Sequence, residues 1–416
     1  MKSTYSIFCF LICLYGNILG NQPQKAVINV PIADLIGQPI NTLRSHESAQ
    51  TAYNSIALCG GKTNCTYSCP RLHQALYNDI VEIIQLTDDE AYIRISQAYY
   101  VNPASSYPQS QYWTLKTNIT LLDDLAHHNI NLNHLPNPID FSDISGKKFN
   151  HTDIVTLTEP HYDPILHISF SVGTRFIRIP SSLKKKHFIE VFAIDYQTHK
   201  EHHIKIPYHK CMLTDQSKTL DERITHYVSL LKKWAHTKNG CIPYTWGGTS
   251  FTYTIPGTFK EVMHKTNNGD YSAYEYEKDH HNPKSGFDCS GVIARAAQIC
   301  GIPYFCKNTT TIAQTLQPLT KEQTVALGDL ILIKGHVMAV SDLNKNLLIE
   351  ARSYAHGYGK LHEIPLQQMF EGIETYQDLL HAYQHKTAIK LKDKEGKVRA
   401  TFANLQLFSM ASVVSP

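Results

Sequence analysis

One cysteine at a glycine-bounded turn constrains this chain more than any other feature. Gly286-Phe287-Asp288-Cys289-Ser290-Gly291 runs straight into Val292, Ile293, Ala296, Ala297 and Cys300, which recur at helical spacing. Gly301 and Pro303 then form a stop signal. The spacing predicts a helix that starts close to Cys289 and ends near Cys300. The unpaired N–H groups of a first helical turn carry partial positive charge. That field favours a thiolate, the reactive form of cysteine. The competing reading is a buried structural cysteine, so the rest of the chain has to decide.

A thiol nucleophile needs a base, and the base needs a partner that fixes its tautomer. Leu327-Gly328-Asp329 is a turn feeding a buried strand over 330–333, and Lys334-Gly335 is the next turn. His336 heads the returning strand. Asp342 to Asn346 turns again, and Leu347-Leu348-Ile349-Glu350-Ala351 is the third strand. With the turn centred near residue 343, His336 and Glu350 face each other on one side of the sheet. Arg352 shares that parity but cannot accept a ring proton. His356 and His362 are further candidates beyond a glycine-rich bend.

A chain of 416 residues with a formal charge of +3 fits a multidomain protein and gives no basic tract suited to nucleic acid. The N-terminus reads as an export signal over 1–20: Lys2, an uncharged apolar run from Ile7 to Tyr15, and small residues at Gly16 and Gly20. No second stretch is long and apolar enough to span a membrane. The expected location is therefore outside the cytoplasm, periplasmic or secreted. Of ten cysteines, removal of the signal leaves eight. With Cys289 free, at least one more is free or pairs between chains. Cys59, Cys65 and Cys69 crowd one segment and could form a disulfide, but with His73 they match no standard zinc spacing. His199, His202, His203 and His209 read as an exposed polar edge, so neither metal nor cofactor is expected.

Ahead of the cysteine the pattern is mostly β. A short strand at 26–30 precedes Pro31, and residues 40–75 read as a long loop with room for one helical turn. Ile80–Leu86 and Ala91–Ile95 alternate around a Thr87-Asp88-Asp89-Glu90 turn. A strip rich in Tyr, Pro and Ser follows over 99–113, suited to contact with a ligand or another domain. Short strands with many turns argue a small barrel over 24–127. Residues 128–150 read as a linker. Strands near 153–157, 174–179, 188–195 and 203–206 make a second β unit over 151–215. Ile224, Val228, Leu231 and Trp234 then mark a helix capped by Thr219 or Asp221. Residues 250–285 are a polar, Tyr-rich insertion, and 386–416 read as a final hairpin and tail.

Pro243-Tyr244-Thr245-Trp246-Gly247-Gly248, Phe287-Asp288-Cys289-Ser290-Gly291, Leu327-Gly328-Asp329-Leu330 and His336-Val337 together resemble the signature of the NlpC-type cell-wall cysteine peptidases. The resemblance is strong over 240–351. It implies an α+β, papain-like catalytic domain over 218–385, with Cys289 as nucleophile and His336 as base and acid. Many members carry a histidine as the third residue, and here the matching position is Glu350. The front half resembles a subgroup with two SH3-like barrels, Val30-Pro31-Ile32-Ala33-Asp34-Leu35 opening the first. That subgroup cuts between D-γ-glutamate and the diamino acid of peptidoglycan stem peptides with a free N-terminal L-Ala. The resemblance implies that Asp288 and Ser290 receive the L-Ala amine, helped by a barrel tyrosine, Tyr107 or Tyr112, with Tyr244 and Trp246 lining the substrate path. A thiol amidase or acyltransferase on another substrate, and a wall-binding module with a vestigial site, are the alternatives.

Overall fold

The computed structural model describes residues 23–43, 48–57, 69–101, 108–139, 153–180, 187–214, 218–238, 240–254, 259–264, 271–276, 285–353 and 358–414. The expected export signal, Cys59, Cys65, Tyr107 and His356 lie outside these residues.

The first unit is an antiparallel sheet of seven strands. They are β1 (Lys25–Ile28), β2 (Ile32–Ile36), β3 (Arg71–Leu76), β4 (Ile80–Leu86), β5 (Glu90–Arg94), β6 (Gln111–Leu115) and β7 (Ile119–Leu121). Their order is β3-β2-β6-β5-β4-β1-β7. The turn after Leu86 joins β4 to β5, with Leu86 opposite Ala91. Alternate residues Ala26, Ile28, Ala33, Leu35, Ala91, Ile93 and Tyr112 point into one core. Among the described residues the ladder does not close on itself, so the expected SH3-like barrel is here a sheet with edges at β3 and β7. The β3 edge is covered by another part of the chain: the Thr249 hydroxyl donates to the Gln74 carbonyl at 3.1 Å. That contact satisfies a backbone group that a closed barrel would satisfy by strand pairing. The long loop expected over 40–75 contains a helical turn at Ile40–Leu43 and a helix over Ala49–Ala57.

The second unit pairs β8 (Ile154–Leu157), β9 (Arg175–Ile177) and β12 (Cys211–Leu213) in the order β9-β8-β12. Beside them lies a long ribbon of β10 (Phe188–Asp195) and β11 (Lys200–Pro207). It too is not a closed barrel. Its core of Phe170, Phe176, Val191 and Ile206 takes in Val27 and Tyr77 from the first unit. The Tyr77 hydroxyl hydrogen-bonds the Ile194 carbonyl. Ile130 and Leu135, from the stretch expected to be a linker, are buried in that same core. Their apolar side chains hold the described part of the stretch, 128–139, against the second unit.

The third unit sets two helices against a sheet. Helix α1 (Leu220–Ala235) starts at a Thr219 capping box closed by Glu222. Helix α2 (Cys289–Ile299) starts at Asp288. The sheet holds β13 (Leu330–Ile333), β14 (His336–Asp342), β15 (Leu347–Arg352), β16 (Lys360–Pro365) and β17 (Gln406–Phe408) in the order β16-β15-β14-β13-β17. Leu330, Leu332, Val337, Ala339, Ile349 and Ala351 face the helices. Ile331, Ile333, Met338, Val340 and Leu348 face the opposite way, onto helix α3 (Tyr376–Gln384). This is the period of two expected for strands covered on both faces. The final stretch contains a hairpin and one further strand. Ile389–Lys392 and Val398–Phe402 do pair, but the chain then returns as β17 beside β13. Leu407 and Phe408 are buried there, which removes them from water and occupies an open sheet edge.

Candidate active site

Asp288 leaves helical geometry at φ −89°, ψ 175° and caps α2, its Oδ1 accepting the Gly291 N–H at 2.5 Å. Cys289 is therefore the first helical residue, and its own N–H has no acceptor within the helix. The Tyr244–Gly248 turn is sewn alongside. Thr245 N–H donates to the Phe287 carbonyl and Asp288 N–H to the Gly248 carbonyl, each at 3.0 Å. A β-carbon on Gly291 would stand 2.0 Å from the Gly248 oxygen, so turn and helix touch backbone to backbone. Tyr244 is buried under this turn, whereas Trp246 is 37% exposed beside it.

His336 opens β14 across from the helix mouth, near enough to the Cys289 sulfur for that sulfur to favour its protonated form. On its other side His336 Nε2 lies 2.5 Å from Glu350 Oε2. With Nε2 held by Glu350, Nδ1 is the nitrogen left to serve the thiol. The pairing differs from direct opposition. Ala339 pairs with Ile349 and Val340 with Leu348, with a shift of register before Asp342. Extending that register sets Arg352 opposite His336, so Glu350 is its diagonal neighbour on the same face. Directly opposite Glu350 is His362 on β16. His362 Nε2 lies 3.0 Å from Glu350 Oε1, and Arg352 Nη1 lies 3.5 Å from the same oxygen.

The charges follow from this packing. Burial opposes protonation of His336, but the nearby Cys289 sulfur and the bonded Glu350 carboxylate outweigh it and raise its pKa to about 9. Burial alone would push the Glu350 carboxyl up, yet the Arg352 guanidinium and the bonds to His336 and His362 hold it well below its ordinary range. Burial pushes His362 down against the pull of Glu350. At neutral pH the arrangement is thus a His336 imidazolium beside sulfur, a Glu350 carboxylate, and a neutral His362 donating to it. That state is poised for attack by sulfur followed by proton delivery.

Asp288 and Ser290, expected to receive a substrate amine, meet an amine of the protein itself. Lys307 Nζ lies 2.6 Å from Asp288 Oδ2 and 3.4 Å from Ser290 Oγ. Ser290 Oγ donates onward to the Lys307 carbonyl at 2.6 Å and lies 3.0 Å from Asp288 Oδ1. Of the barrel tyrosines, Tyr112 is fully buried and its hydroxyl meets the Ala98 carbonyl at 3.2 Å, inside the first unit. Sequence reasoning missed Lys307, which no motif marks, set Arg352 aside as unable to accept a proton, and named His362 only as a further candidate. It also missed the first unit's grip on the site. Arg71 bridges Asp34 to the Trp246 carbonyl, and Gln74 accepts the Thr249 N–H at 3.0 Å. Among the described residues no His, Cys, Asp and Glu group forms a metal cluster. Cys211, Cys289, Cys300 and Cys306 are free thiols.

No family model and no curated protein matches the sequence. Among solved structures, the fold is similar to that of an NlpC/P60 family protein from Bacillus cereus, at 15% identity and a TM-score of 0.50 over 82% of this chain and 94% of that one. NlpC2 from Trichomonas vaginalis matches at 11% identity and a TM-score of 0.29, over 84% of this chain and 94% of its own. NlpC1 from the same organism matches at 10% and 0.29, over 84% and 90%. The first of these shows the shared mixed α+β, NlpC/P60-like fold. The other two overlays are too loose to add to it.

Proposed function

We propose that this chain is an exported cysteine endopeptidase that cuts the bond between D-γ-glutamate and the diamino acid of peptidoglycan stem peptides. The observation that carries the proposal is the chain of contacts from Cys289 to His336 to Glu350 at the entrance of α2. The likeness in fold to the Bacillus cereus protein supports the cell-wall reading. Among the described residues no helix is long and apolar enough to cross a membrane.

In the proposed reaction the Cys289 thiolate attacks the γ-carbonyl carbon and forms a C–S bond. The resulting oxyanion is received by the Cys289 N–H. The His336 imidazolium gives its proton to the amide nitrogen, the C–N bond breaks, and the diamino acid leaves as an amine. Water then gives one proton to His336, and its oxygen attacks the thioester. The C–S bond breaks, releasing the γ-carboxylic acid and the thiolate. Glu350 stays ionised throughout and holds the ring in place. The test is mass spectrometry of L-Ala-γ-D-Glu-diaminopimelate peptides, N-acetylated and free, incubated with the native protein and with Cys289→Ala. The native protein should release the diamino acid and the variant should lose at least ~10³-fold in rate. Intact peptides with native protein, or equal turnover by the variant, would sink the proposal.

A further inference from the structure

The acidic residue beside the nucleophile is already neutralised from within. Lys307 is 2% exposed, and its ammonium sits on Asp288 and within reach of Ser290. The other Asp288 oxygen accepts the Gly291 N–H, with the Ser290 Oγ 3.0 Å away. The charge of this carboxylate is therefore already paired within the protein.

Lys307 is also held at its backbone. Its N–H donates to the Tyr99 carbonyl at 2.8 Å, and Tyr99 N–H donates to the Phe305 carbonyl at 2.9 Å. The first unit thereby clamps the backbone that carries the lysine. His73, on β3 of that unit, is buried with neither ring nitrogen hydrogen-bonded. Burial, then Lys307 and Arg295, hold its pKa well below the ordinary value.

We propose that Lys307 is a specificity-determining residue that stands in for a substrate amine, so that the site takes stem peptides whose L-Ala nitrogen is acylated rather than free. A second ammonium would have to share the Asp288 carboxylate with a buried cation, whereas a neutral amide meets no such penalty. The inference rests on the peptidase reading for the identity of the peptide, not for the preference itself. The substrate class is then the uncut stem still joined through its N-terminal amide, rather than the released peptide.

The test uses two affinity labels, L-Ala-γ-D-Glu chloromethyl ketone with its amine free or acetylated. Each alkylates Cys289 by forming a C–S bond with loss of chloride, so no peptide bond need be cut. The native protein should be inactivated about tenfold faster by the acetylated label. Lys307→Met should cancel or invert that ratio, because Asp288 is then released to bind an ammonium. Lys307→Arg should retain it. An equal rate for both labels, or a faster rate for the free amine, with native protein overturns the inference. So does a ratio that Lys307→Met leaves unchanged. Should Lys307→Met not fold, the native pair and Lys307→Arg decide alone. A preference for the acetylated label without hydrolysis of either tripeptide defeats the peptidase reading and leaves this one standing.

Discussion

Glu350 reaches His336 from a diagonal position on the neighbouring strand and still closes to 2.5 Å. The residue directly opposite Glu350 is His362, which binds the other carboxylate oxygen. One carboxylate therefore orients two rings, and only one of those rings meets sulfur.

Replacing Glu350 by Gln keeps the side-chain shape and removes the charge. His336 then loses the partner that helps raise its pKa to about 9. The protonated ring is the general acid, and it is lost as pH rises through that value. We expect the alkaline limb of kcat/KM to move to lower pH and the plateau to drop by roughly 10²–10⁴-fold. A pH–rate profile with an unmoved limb would exclude the assigned role.

His336 also links stability to pH. Its folded pKa of about 9 lies above the ordinary 6.5. The folded state thus holds a proton that the unfolded chain releases earlier. The contribution is complete below pH 6.5 and disappears as pH climbs to 9. Urea midpoints should fall across that window by the equivalent of at most about 3 kcal/mol. His336→Asn should flatten this slope. A native midpoint that rises over the same window would contradict the raised value.

Arg352 tests the buried charge. Its guanidinium lies 3.5 Å from Glu350 and donates to the Lys392 carbonyl at 2.7 Å. Arg352→Met leaves a buried carboxylate short of compensation, and the expected cost is about 3–5 kcal/mol of stability. Thermal unfolding measures it. A change below ~0.5 kcal/mol would mean that the two histidines suffice.

Gly291→Ala asks whether the turn positions the nucleophile. The new methyl would meet the Gly248 oxygen at 2.0 Å, so turn and helix must separate. A displacement of that kind should cost about 10²-fold in kcat/KM even where the fold survives. Unaltered kinetics, measured beside a thermal melt, would show that the close approach has no bearing on catalysis.

Much of the third unit was legible because its signals are local. The helix start close to Cys289, the helix stop at Gly301 and the alternation along β13 to β15 are all written within a few residues. The His336–Glu350 side of the sheet followed from parity alone. The register did not, because the shift before Asp342 is an accident of local hydrogen bonding that parity cannot see. Lys307 was invisible for a different reason. Its partner Asp288 is near in sequence, but the clamp that buries it comes from Tyr99 in the first unit. The open sheet was equally hidden, since Gln74 and Thr249 are far apart in the chain. The return of β17 depended on apolar residues whose destination lay some seventy positions upstream, beside β13.

The bonds from Gln74 to Thr249 and from Tyr99 to Lys307 have an engineering consequence. The leading unit is not an interchangeable targeting module strung ahead of a self-sufficient enzyme. A chimera that transplants the thiol-bearing half onto a foreign leader would lose both the wall beside Thr249 and the brace beneath Lys307. Recombination that preserves activity has to carry the leader and the thiol half as one cassette.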